Sequence, residues 1–250
     1  MTYQPTTISY DLRNLPQLPG WVTSGRAETL ETVAFRSGAA LTVIDQLVSD
    51  PRHGVPVKLL ANRLALSSAT ATSKLEGRLA READIRDAYH LTPPGEARGP
   101  DGDLLAFWRD AVRVLAGEIG AIADLVGADF AGEVGVWLDA SLERTRMHGP
   151  LAGCVAVLRA VLDADDRAER VACLLSDVVL ARALNWKQVL PVTAQRLTKA
   201  VLRGLTAEGQ GADLAVELRI LESVEESIRL ARDVARCATA SSLRNTSTAA

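Results

Sequence analysis

Aromatic residues are scarce: Phe, Trp and Tyr make up 4% of the 250 residues, alongside two methionines and three cysteines. A core with few rings must be built from small and aliphatic side chains, which favours closely packed helices. Cys154, Cys173 and Cys237 are odd in number, far apart and set in apolar surroundings. They read as buried reduced thiols, not as a disulfide frame. No charge sign dominates, with 28 Lys and Arg against 31 Asp and Glu and a net charge of −3. The basic stripe of a general nucleic-acid binder is missing. No apolar run reaches about 18 residues without charge, so no membrane span is expected. Met1 to Tyr10 is polar and lacks a signal-peptide core, so the expected location is cytoplasmic.

The familiar catalytic signatures are missing too. There is no phosphate loop, dinucleotide fingerprint, HExxH, CxxC, GxSxG or EF-hand loop. His53, His90 and His148 share no ligand spacing, and Asp87-x-x-His90 is the nearest approach to a di-metal motif. No metal and no cofactor are therefore expected.

What is present is a 48% hydrophobic, 24% charged chain with helical periodicity. The expected fold is all-α, one domain of about eight or nine helices. An extended lead, 1–22, carries Pro5, Pro16 and Pro19. The helical domain is read as 23–237, with a candidate subdomain boundary in the Pro- and Gly-rich loop 92–102, and a disordered tail as 238–250. Asp103 is read as the cap of the helix that follows the loop, and the chain after Pro191 as helix to about Leu205. The stretch Arg167 to Lys199 contains the most continuous apolar run, Val171 to Leu184, interrupted by Ser176, Asp177 and Arg182. A segment apolar on all sides belongs in the core.

Several places can carry chemistry. Glu28, Glu31, Phe35 and Arg36 crowd one region of the first helix and can line a polar pocket, or form a solvated face with an intrahelical ion pair. Asp87 and His90 share a helix face beside Arg86. There Asp87 can orient the imidazole for acid–base work while Arg86 holds an anion. The plainer reading is a helix end at which His90 complements the dipole. Trp186 and Lys187 can stack on a flat ligand, or Trp186 can plug the core. Thr72-Ser73-Lys74-Leu75-Glu76-Gly77 fits the inhibitory-helix pattern of Fic nucleotidyl-transferases. The histidine core of those enzymes is missing downstream, so AMP transfer is not supported.

Three segments resemble a known family when taken together. They are Leu18-Pro19-Gly20-Trp21-Val22-Thr23 running into Ala27 to Leu41; Ile85 to Leu91 with the following loop and Trp108-Arg109; and Leu180 to Trp186 with Val189-Leu190-Pro191. The resemblance is to an uncharacterised, largely rhizobial alphaproteobacterial family catalogued as domain of unknown function fourteen-oh-three. It implies a bacterial cytoplasmic protein and one domain, and supplies no activity.

The leading expectation is a regulatory or protein-interaction module that self-associates or binds a protein partner. The rival is an enzyme whose pocket combines Asp87, His90 and Arg86 with Glu28 and Arg36. A third reading is a DNA-associated regulator using Arg63, Lys74, Arg78 and Arg81.

Overall fold

The computed structural model describes residues 30–49, 57–207 and 211–247. Among these it has ten helices: α1 Leu30–Ser49, α2 Val57–Leu75, α3 Glu82–His90, α4 Gly99–Ala111, α5 Ile119–Val126, α6 Val134–His148, α7 Pro150–Ala164, α8 Glu169–Ala183, α9 Lys199–Thr206 and α10 Ala212–Ser247. No strand occurs among the described residues; the one extended pairing is an isolated antiparallel bridge between Leu115 and Gln188. The chain is a single helical domain with one contiguous core from Ala40 to Val234.

The apolar run of the sequence becomes α8, and no residue from Val171 to Ala181 exceeds 7% exposure. α7 packs along it, α6 packs on α7, and α2 and α6 also touch α8. α1 lies on α10, and α3 and α4 pack on each other. Two glycines permit close approaches. A Cβ on Gly153 of α7 would stand 2.7 Å from the Ser141 carbonyl and 1.9 Å from Thr145 Oγ1 of α6. A Cβ on Gly102 of α4 would stand 3.0 Å from the Ala88 carbonyl of α3. The small-residue centre of α2 serves the same end and adds hydrogen bonds. Thr72 Oγ1 accepts from Trp108 Nε1 of α4 at 2.9 Å and donates to the Ser68 carbonyl at 2.7 Å.

Three boundaries differ from the sequence expectations. Asp103 is not a cap: α4 starts at Gly99 with Pro100 in its first turn, where a missing N–H costs nothing. The last helix runs to Ser247, past Cys237, where the apolar stripe fades. The chain after Pro191 is not helical; α9 begins only at Lys199. The segment 184–198, called the strap below, is instead non-helical and largely buried. Pro191 has no N–H, and the amides of Val192 and Thr193 are taken by the Asp177 carboxylate, so no helical ladder can form there. The strap leaves α8 through a Schellman turn. Asn185 adopts φ 57°, its N–H reaches the Arg182 carbonyl, and the Trp186 N–H reaches that of Ala181. Asn is one of the few residues that tolerates this left-handed conformation.

Gly153→Ala is expected to cost about 1–3 kcal/mol by overpacking the α6–α7 crossing. The check is urea unfolding. Adding Thr145→Ala should not restore full stability, because the Ser141 carbonyl stays in the way. Thr72→Val strands the buried Trp108 N–H and should cost about 1–3 kcal/mol, while Thr72→Ser keeps the acceptor and should cost less.

Candidate functional site

Arg36 is buried at 4% exposure and donates to the Glu225 carboxylate of α10, to which the Ser37 hydroxyl also donates at 3.2 Å. It therefore joins α1 to α10. Asp87 and His90 sit on α3, which packs on α2 and α4. Glu28, the remaining member of the expected pocket, lies outside the described residues. Asp87 accepts from Arg86 Nε at 2.9 Å, in an exposed pair. His90 Nε2 instead lies 3.4 Å from Arg109 NH1, with its ring edge-on to Tyr89. The carboxylate is engaged by Arg86, and the imidazole faces a second cation.

The α3–α4 corner has its own composition. The guanidiniums of Arg98 and Arg109 lie over the Tyr89 ring, 4.8 and 4.9 Å from its centroid. Neither pairs with a carboxylate among the described residues, and Arg109 Nε is buried without a hydrogen-bond partner. Leu91, next to His90, is 75% exposed.

Trp186 is buried, and its Nε1 donates to Asp45 of α1 at 2.7 Å, so it plugs the core by linking the strap to α1. Lys187 is exposed, and its carbonyl accepts from the Ala116 N–H at 3.0 Å. In the stretch that resembles the Fic inhibitory helix, Thr72 is held by Trp108 and Glu76 pairs with Arg170 and Arg78. The cations proposed for DNA are partly neutralised: Arg63 pairs with Glu82, and Arg78 with Glu76 and Asp101.

Beneath these surfaces lies a polar centre. Asp177 Oδ1 accepts from the N–H groups of Val192 and Thr193 at 2.8 and 2.9 Å, while Oδ2 has no partner. Burial pushes this carboxyl from its ordinary value up to about 7, against the opposing hydrogen bonds from Val192 and Thr193. Ser68 Oγ and Gln195 Nε2 donate to the Pro191 carbonyl, closing the strap onto α2. Burial also pushes the Cys154 thiol up to about 12 and raises Cys173, so both remain protonated and unreactive. Among the described residues no three His, Cys, Asp or Glu side chains gather at metal-binding range.

Among the described residues, two clefts of about 240 Å³ each open at the surface. In the one between α1 and α10 every lining arginine is paired: Arg36 with Glu225, Arg219 with Glu222, and Arg196 and Arg229 with Glu226. The other lies among α7, α8 and α9 and is lined by Asp166, Arg167, Glu169, Lys199, Arg203 and Thr206 over Leu162 and Leu202. Sequence reading passed over this cleft, because its two halves are about thirty residues apart in the chain and neither half carries a motif.

Fold and surface define the class: an all-α, single-domain protein in which no helix among the described residues is long and apolar enough to cross a membrane. The chain belongs to the family described as protein of unknown function (DUF1403), whose model matches residues 6–245. No curated protein and no solved structure matches it.

The raised Asp177 sets a sign for pH dependence. The folded chain keeps a proton that the unfolded chain loses above the ordinary value of 3.8, so the contribution falls as pH rises towards about 7 and is flat above that. Asp177→Asn retains the Oδ1 acceptor without the charge. Thermal unfolding of wild type and variant across pH 4 to 8 should therefore show the variant gaining on wild type as pH rises. Asp177→Ala leaves two buried N–H groups unpaired and should be destabilised at every pH.

Proposed function

We propose that this protein is a regulatory, protein-interaction module whose contact surface is the α3–α4 corner. The observation that carries the reading is the pair of guanidiniums over Tyr89, uncommitted to any carboxylate among the described residues, beside exposed Leu91. Arginine and tyrosine around an apolar side chain is the composition of interface hot spots. An acidic segment of a partner would supply the missing counter-charge, and Leu91 the apolar anchor. The partner is a second copy of this chain or another protein. A cytoplasmic setting agrees with the two buried, protonated thiols.

The corner favours binding over the acid–base alternative. A general base needs an orienting partner for its imidazole, and Asp87 is engaged by Arg86.

A photo-crosslinking residue placed at Leu91 tests the reading in the native host, with Val136 of α6, 64% exposed, as the control position. Adducts are expected from Leu91 and should disappear when Arg98 and Arg109 are both changed to Glu. An adduct of twice the chain mass identifies self-association, and a heavier mixed adduct identifies another protein. The absence of adducts from Leu91, or their survival after charge reversal, rejects the proposal.

A further inference from the structure

The geometry points to a binding site for a small oxyanion ligand, a phosphate or carboxylate compound, in the cleft among α7, α8 and α9. This site is separate from the protein-contact corner and does not depend on it. Arg167 and Arg203 face the cleft as exposed cations and make no ion pair among the described residues, unlike every lining arginine of the α1–α10 cleft. Lys199 stands at the start of α9, with its Nζ 3.0 Å from Glu169 Oε1. Glu169 is only 3% exposed, and that oxygen accepts no aligned hydrogen bond, so it is paired in charge but not satisfied in geometry.

The lead into α8 lines the same cleft. Ala168 offers no side-chain oxygen to the first-turn N–H groups of this 15-residue helix. Free amides at a helix start add to the attraction for an anion. Two guanidiniums and an ammonium supply the charge-assisted donors that planar or tetrahedral oxyanions select. Glu169 is placed to accept a hydroxyl or amine proton from the rest of the ligand, and Leu162 and Leu202 provide a short apolar floor. Asp166 on the rim discriminates against ligands that carry negative charge throughout. The volume, about 240 Å³, suits a small metabolite and not a polymer.

Arginine side-chain NMR of the full chain tests this directly, with inorganic phosphate and succinate titrated separately. Saturable shifts of the Arg167 and Arg203 Nε–H signals are expected, while Arg144, exposed on α6, stays unmoved. Response to phosphate alone assigns a phosphoryl ligand; response to succinate alone assigns a carboxylate. The double variant R167A/R203A, altered at two exposed positions, should weaken the affinity by at least about tenfold. The inference is overturned if neither probe shifts the two arginines, if Arg144 shifts in parallel, or if the variant binds unchanged.

Discussion

A single carboxylate ties the non-helical strap to the helical core. Asp177 receives the N–H groups of Val192 and Thr193 in the centre of the domain, where water cannot take its place. An unpaired buried amide costs about 1–3 kcal/mol, so losing either bond would weaken the strap's hold on the core. From that anchor the strap reaches α2 through Ser68, α10 through the Arg196 N–H to Ser223, α1 through Trp186 to Asp45, and the link between α4 and α5 through the Leu115–Gln188 bridge. Helices distant in the chain therefore share one central connector. The same burial that makes Asp177 an effective anchor disfavours its charge, and that conflict is why stability is tied to its protonation.

Around this frame, charge is distributed in two ways. Buried or half-buried groups are paired across elements, as Arg36 with Glu225, Arg170 with Glu76, and Arg159 with Asp213. These pairs join helices. Other cations make no ion pair among the described residues, and four of them stand at places with defined surroundings: Arg98 and Arg109 at the α3–α4 corner, and Arg167 and Arg203 at the α7–α9 cleft. Pairing within the fold is a structural use of charge. Its lack at a place with defined shape marks where an external group fits, and both functional proposals rest on this contrast.

Much of the architecture was legible in the chain. The total burial of α8 follows from an apolar run with no polar face, and the amphipathic stripes of α1, α7 and α10 follow from three- and four-residue spacing. Asp177 was visible only as an acid interrupting that run; that it anchors a buried polar centre was not legible. The site was much less legible. Asp87 and His90 share a face, but neighbouring cations from α3 and α4 separate their roles. Arg167 and Arg203 bear no local pattern at all.

By itself the sequence determined the helical class and the core helix, because periodicity and backbone preference act over a few residues. Only the tertiary structure decided which charges are neutralised. Burial and pairing depend on which distant element arrives beside a side chain. Tertiary contact also turned the segment after Pro191 from an expected helix into a strap, since two hydrogen bonds to a buried carboxylate outweigh the weak helix preference of a few residues.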